Sequence, residues 1–267
     1  MLFSDPPLLR ELYCALEGVS LPQDVPVSIN TLENVLFMDF INDISFVIGG
    51  KLVVLIEHES TINPNMPLRL QMYITHVYER MLEGKNLYSG KHLKIPKPEF
   101  FVLYNGKTPY CDNKILRLSD AFEELQGIGL PEKDQPSLEL IVKVININEG
   151  KNKEIVNRCK KLAEYSAFVA KVRYFEKELK NRKEAVAAAI KYCQKHDILK
   201  EFLELHGSEV LNMLITEWNT EDALAVRYEE GLEEGIEKGN KKGKQEIINL
   251  LISGKSPEEI IREYGNK

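Results

Sequence analysis

The sequence has few of the residues that mark exported, disulfide-bonded or zinc-binding proteins. Its 267 residues include only four cysteines, Cys14, Cys111, Cys159 and Cys193, and no two of them form a CxxC pair. This spacing indicates neither a zinc site nor a disulfide framework, so we expect a reduced, cytoplasmic protein. No apolar run approaches the roughly 20 residues of a membrane span, and no basic segment followed by an apolar one opens the chain. We therefore expect neither export nor a membrane partner.

Positive charge is scarce over the whole chain but abundant in one part of it. The 35 Lys and Arg residues are outnumbered by 41 Asp and Glu residues, a net charge of −6, which disfavours a nucleic-acid partner. Residues 151–200, however, hold 14 Lys/Arg against 6 Asp/Glu, a net +8, whereas residues 201–237 hold one Arg against 11 Asp/Glu, a net −10. Solvated helix faces and a phosphate-contacting surface in the basic segment explain this pattern equally well.

The first of three predicted parts, residues 1–150, has the element order of an α/β domain. Hydrophobic periodicity and Pro and Gly signals predict a helix over Asp5–Glu17, a connection over 21–29, and a helix from Pro67 to about Leu82. A β-hairpin precedes the second helix. The β-rich runs "PEFFVLYNG" and "LELIVKVININ" predict two strands after it.

The other two predicted parts are a helical region and a tail. Residues 151–228 show helical periodicity almost throughout. In residues 229–267, glycine recurs every four positions from Gly231 to Gly243, which predicts a weak helix or a linker because each interior Gly costs a helix about 1 kcal/mol. Gly254 is a stop signal, and Ser256 begins a further short helix. A helix-turn-helix is possible here, but a simple coil-and-helix tail is favoured.

The hairpin lies in "NDISFVIGGKLVVLIEHEST", residues 42–61. A two-residue loop at Gly49 and Gly50 would pair Asp43 with Ile56, whereas a three-residue loop that includes Lys51 pairs Asp43 with Glu57. The second register is favoured because it places six apolar residues on one face of the hairpin. These residues are Ile44, Phe46, Ile48, Leu52, Val54 and Ile56.

The favoured register also gathers three carboxylates at the open end of the hairpin. Glu57 and Glu59 are two apart in a strand and share a face, and Asp43 joins them. Converging carboxylates repel one another, and a hard divalent cation such as Mg²⁺ or Mn²⁺ relieves the repulsion. A metal held in this way can drive phosphodiester hydrolysis. Exposed acids at a hairpin end are the alternative explanation, because the pattern D-x13-E-x-E is loose.

The helix that follows the hairpin, and the strand that carries the two glutamates, contain further candidate site residues. Arg69 and Tyr73 share one face of the helix that follows the hairpin, together with His76, and can contact phosphate there. His58 points to the opposite, apolar face, where a packed histidine is favoured over a metal ligand.

The spacing of Asp43, Glu57 and Glu59 resembles the signature of PD-(D/E)xK nucleases. The segment "LVVLIEHESTINPNMPLRLQMY" resembles a block of the recombination-promoting nuclease (Rpn) or PD-(D/E)xK nuclease family transposases, and so do "KIPKPEFFVLYNG", "LRLSDAF", "VININEGKN" and "EEGLEEGIEKG". The resemblance covers most of residues 1–243. It implies a restriction-endonuclease-like α/β core with a mainly helical C-terminal half, and a metal-dependent DNA endonuclease linked to recombination or transposition.

The resemblance also implies roles for individual residues. Asp43 and Glu57 become the Mg²⁺ or Mn²⁺ ligands, and Glu59 completes the catalytic set at a position where the family usually has Lys or Gln. Arg69 and Tyr73 become substrate-binding residues, similar to the Q-x-x-x-Y helix motif of related exonucleases with Arg in place of Gln. The family's first segment is expected to lack its beginning here. The alternative is a non-catalytic DNA-binding or assembly protein that retains the nuclease fold. A homodimer is compatible with either.

Overall fold

The computed structural model describes residues 2–3, 5–30, 44–124, 135–179 and 181–264. The chain divides into two compact units, Met1–Leu205 and His206–Lys267. The predicted three-part division, with boundaries at 150 and 228, stays a prediction.

Strands in the described part of the first unit form one six-stranded sheet, in the order β1-β2-β3-β4-β6-β5. The strands are β1 Val27–Ile29, β2 Ile44–Ile48, β3 Leu52–Glu59, β4 Lys97–Tyr104, β5 Asn113–Arg117 and β6 Ile141–Asn146. The β3–β4 and β4–β6 pairs are parallel, and the other pairs are antiparallel. The fold is therefore α/β with a mixed sheet.

The described chain also contains seven α-helices. They are α1 Pro6–Glu17, α2 Met66–Leu82, α3 Lys153–Arg158, α4 Lys160–Glu178, α5 Arg182–Lys195, α6 Lys200–Ile252 and α7 Pro257–Tyr264, with a short 3-10 helix at Leu118–Ala121. The predicted helices over Asp5–Glu17 and Pro67–Leu82 are confirmed as α1 and α2. Pro stands in the first turn of each, where its missing N–H has no helical partner to lose.

The hairpin formed by β2 and β3 has the predicted register. Ile48 pairs with Leu52 and Ile44 with Ile56, so the loop is the three-residue Gly49-Gly50-Lys51. Gly49 and Gly50 have φ values of 57° and 65°, a left-handed conformation that glycine adopts without strain. The predicted partner of Glu57, Asp43, lies outside the described residues.

Two apolar layers hold the sheet between helices. Alternate residues of β2 and β3, such as Phe46, Val54 and Ile56, pack with α1, α3 and α4 on one face. Val53 and Leu55 point the other way and pack with α2. The strict alternation of side chains along a strand produces these two layers, and it decides which face receives Glu57 and Glu59.

Both edge strands differ from the sequence prediction. The prediction of a connection over 21–29 is wrong for Val27–Ile29, which pairs with β2. Strand β5, which pairs with β6 at the other edge, was not predicted. Both are short, and β5 is mostly exposed, so neither carries the half-buried alternation that marks a strand in a sequence.

The glycine-rich tail continues a helix. Helix α6 runs for 53 residues through Gly231, Gly235, Gly239 and Gly243. Of the two predicted alternatives for this segment, the helix is therefore correct and the linker is wrong. A cap then starts α7 as predicted: the Ser256 N–H donates to the Glu259 carboxylate at 2.9 Å, and the Glu259 N–H donates to Ser256 Oγ at 3.3 Å. Nowhere in the described chain does a helix combine the length and apolar character needed to cross a membrane.

The cysteines provide a test of burial in the first unit. Cys159 and Cys193 are buried, and burial raises the pKa of each thiol to about 11. Cys111 is exposed. Because the thiolate is the reactive form, we expect a chromogenic disulfide reagent to modify Cys111 quickly in the native protein at about pH 8. Cys159 and Cys193 should react only after denaturation.

The matched control is Cys111→Ser. This variant should lose the fast reaction of the native protein and keep the reaction of Cys159 and Cys193 after denaturation. Rapid native-state modification of Cys159 would show instead that α3 and α4 do not cover that thiol.

Candidate functional site

Three strands end together at one edge of the sheet. Because β3, β4 and β6 are parallel neighbours, Glu59 lies beside Tyr104, and Tyr104 beside Asn146. Open α/β sheets commonly bind ligands outside the carboxyl ends of their strands. The polar residues that follow these apolar strands therefore lie where a ligand has access.

The two glutamates of β3 lie on the α2 face of the sheet near this edge. Glu57 and Glu59 follow Val53 and Leu55 in the alternation, as the sequence predicted for a shared face. The Glu57 side chain is only 2% exposed and that of Glu59 only 13%. Burial of two carboxylates is unfavourable unless a partner compensates their charge.

Helix α2 supplies that partner. Arg69 donates from Nη1 to Glu59 Oε1 at 2.5 Å and from Nη2 to Glu57 Oε2 at 3.2 Å. The same Nη2 lies 3.3 Å from the Tyr73 hydroxyl, which one helical turn brings to the same side of α2. The structure thus brings together four of the five predicted site residues, Glu57, Glu59, Arg69 and Tyr73.

The electrostatics of this cluster favour a permanently charged Arg69. Burial opposes its positive charge, but the hydrogen bond to Tyr73 and the negative charges of Glu59 and Glu57 outweigh burial and raise the pKa of the guanidinium. With two carboxylates and one guanidinium, these groups sum to a net charge of −1. A cation, or a substrate group that binds Arg69, would change that balance.

The donor chemistry of the cluster fits a divalent cation. Carboxylate oxygens are the ligands that Mg²⁺ and Mn²⁺ prefer, and Glu57 and Glu59 provide them. Within the described residues no three His, Cys, Asp or Glu side chains are grouped as a metal site, and Asp43, the predicted third acid, lies outside those residues. Arg69 binds one oxygen of each carboxylate, so it competes with a cation for the same groups.

Other candidate residues are placed in different surroundings. His58 points to the opposite face, as predicted, and its Nε2 lies 2.9 Å from the Tyr165 hydroxyl. His76 pairs with Glu79 on the surface of α2 at 2.9 Å. Tyr73, predicted to bind substrate, is 2% exposed, and its hydroxyl contacts Arg69.

A close approach between strand ends depends on Gly106. The Asn105 N–H donates to the Glu59 carbonyl at 2.9 Å, which holds the end of β4 against that of β3. A Cβ atom on Gly106 would lie 2.2 Å from the Ser60 carbonyl oxygen and 2.3 Å from the Tyr104 hydroxyl. Only glycine fits this position without displacing backbone.

Sequence reasoning did not find a groove of about 700 Å³ at the ends of β4 and β6. Arg173 of α4 donates to the Asn148 side chain and the Asn105 carbonyl at this place. Four of the cationic residues that line the groove come from the basic segment 151–200. Its lining side chains are Lys107, Thr108, Pro109, Tyr110, Asn146, Asn148, Glu149, Lys151, Arg173, Glu176, Lys177, Leu179 and Arg182, beside Gly106. The sequence feature that could have predicted this groove is the run of polar residues that follows β4 and β6.

Comparisons of the chain with protein-family models, with curated proteins and with solved structures find no match.

Proposed function

We propose that the chain is a metal-dependent DNA endonuclease with a PD-(D/E)xK core, of the recombination-promoting nuclease type. The observation that carries the proposal is the cluster of Glu57, Glu59 and Arg69 at the carboxyl edge of parallel strands. Carboxylates beside a guanidinium provide both the oxygen ligands for a cation and a bidentate donor for phosphate. The hairpin register, which agrees with the one that predicts Asp43 opposite Glu57, supports it.

Each residue of the cluster has a part in phosphodiester hydrolysis. Mg²⁺ or Mn²⁺ held by Asp43 and Glu57 would supply an activated water and offset charge on the phosphate. Glu59, which when ionised can only accept hydrogen bonds, takes the proton of the attacking water. Arg69 exchanges its carboxylate partners for the phosphate oxygens, and Tyr73 orients Arg69.

A second candidate is a DNA-binding or assembly protein that retains this fold without activity. Arg69 already forms ion pairs with both glutamates, and this observation favours the second candidate. Its cluster would be structural, with no requirement for a cation.

Plasmid cleavage distinguishes the two candidates. We expect wild-type protein to nick or linearise plasmid DNA with Mg²⁺ or Mn²⁺ and to be inactive with EDTA. Glu59→Gln and Glu59→Lys should shift the dependence of rate on metal concentration, because one removes an anion beside the cation and the other reverses its charge. DNA affinity should change less than the metal dependence.

Absence of cleavage by wild type at any metal concentration would favour the non-catalytic candidate. Superimposable metal curves for the wild type and both variants would show that Glu59 has no part in the site.

A further inference from the structure

The groove at the ends of β4 and β6 is lined by none of the residues of the carboxylate cluster, Glu57, Glu59, Arg69 and Tyr73. It is lined by five cationic side chains, those of Lys107, Lys151, Arg173, Lys177 and Arg182, against two acidic ones, Glu149 and Glu176, a net +3. The whole chain has a net charge of −6. A concentration of positive charge in a concave site on an acidic protein favours an anionic ligand.

The cations of the groove differ in how firmly they are held. Lys107 pairs with Glu176 at 3.1 Å and Lys151 with Asp112 at 2.7 Å, and the two lysine side chains are 65% and 45% exposed. The Lys151–Asp112 pair is exposed on both sides and contributes little, so the Lys151 ammonium group can exchange its carboxylate for a phosphate. Glu176 is only 12% exposed, so Lys107 is held more firmly. Arg173 is fixed by its hydrogen bonds to Asn148 and Asn105.

The size of the groove favours a nucleotide over a simple anion. Inorganic phosphate fills far less of about 700 Å³, whereas a nucleotide adds a sugar and a base to its phosphate.

The groove lies at the same carboxyl edge of the sheet as the carboxylate cluster. The Asn105 N–H binds the Glu59 carbonyl, and the next residue, Gly106, lines the groove. Neighbouring strands are about 5 Å apart, so the ends of β4 and β6 lie one and two such steps from the end of β3.

We propose that this groove binds one or two nucleotides of a DNA strand next to the phosphate at Glu57 and Glu59. The proposal rests on the proposed function. Lys151, Lys177 and Arg182 contact the phosphates, Lys107 stays paired with Glu176, and Arg173 joins the segments that follow β4 and β6.

The test measures binding without cleavage. A fluorescein-labelled single-stranded oligonucleotide is titrated with full-length protein in EDTA, at salt concentrations between about 50 and 200 mM. The groove variant is Lys151→Gln/Lys177→Gln. The matched control is Lys85→Gln/Lys91→Gln, which removes the same charge from exposed positions outside the groove.

We expect the groove variant to bind about tenfold more weakly, with a salt slope reduced by about 1.4, because each phosphate contact in a single strand contributes about 0.7. The control should bind within about twofold of wild type. Equal affinities and slopes for the groove variant and the control would overturn the proposal. So would adenosine monophosphate competing as well as the oligonucleotide, since the ligand would then be a free phosphate ester.

The outcome is separable from that of the cleavage test. If the groove variant binds DNA more weakly but the wild-type protein does not cleave DNA, the groove proposal holds and the nuclease proposal fails. If the wild-type protein cleaves DNA but the groove variant binds DNA as the wild type does, the nuclease proposal holds and the groove proposal fails.

Discussion

Glu57→Gln is expected to lower the rate of DNA cleavage by about a thousandfold, the equivalent of about 4 kcal/mol of transition-state stabilisation. Glutamine keeps the shape of the side chain and can still accept a hydrogen bond from Arg69, but its neutral amide is a poor ligand for a divalent cation. The measurement is the single-turnover cleavage rate at saturating Mg²⁺ or Mn²⁺.

The control separates chemistry from folding. Glu79→Gln removes an acid from the exposed surface of the same helix that carries Arg69, and it should cleave at the wild-type rate. The melting temperature of Glu57→Gln should stay near that of the wild type. A folded Glu57→Gln protein with full activity would show that Glu57 holds no cation.

Gly106→Ala is expected to destabilise the first unit by about 3 kcal/mol. The added methyl would meet the Ser60 carbonyl oxygen at 2.2 Å and the Tyr104 hydroxyl at 2.3 Å, and the Ser60 backbone cannot move without disturbing the adjacent end of β3. The measurement is the midpoint of urea unfolding followed by circular dichroism.

Gly235→Ala is the matched control because a Cβ at this position of α6 meets nothing within 4 Å. The substitution should stabilise the helix by up to about 1 kcal/mol. If Gly106→Ala unfolded at the same urea concentration as wild type, the ends of β3 and β4 would be farther apart than this geometry has them.

Much of the central sheet was predictable because its inner strands have strong local signals. The hairpin register followed from six apolar residues that only one loop length places on a single face. Strands β4 and β6 are apolar runs, and α2 has a buried stripe that includes Leu70, Ile74 and Val77. Strands β1 and β5 were missed because an edge strand is defined by its backbone partner, and exposed side chains leave no pattern.

Over short distances in sequence, strand and helix periods predicted which of the candidate residues lie together. The shared face of Glu57 and Glu59 and the spacing of Arg69 and Tyr73 follow from strand and helix periods. The partner of Arg69 was not predictable, since a guanidinium binds carboxylate and phosphate equally well. The groove depends on where α4 crosses the ends of β4 and β6, a tertiary relation that local periodicity does not contain.

The contacts of Arg69 and Arg173 differ in sequence separation, and this difference predicts an order of folding. Arg69 is 10 and 12 residues from its carboxylate partners, whereas Arg173 is 25 and 68 residues from the groups it binds. The entropy lost in closing a loop grows with its length, so contacts of low sequence separation form sooner. We therefore expect Glu57 and Glu59 to pair with Arg69 early, because the hairpin and the helix that carry these residues are close in sequence. The cationic groove should be completed among the last contacts, once α4 has docked on the finished sheet.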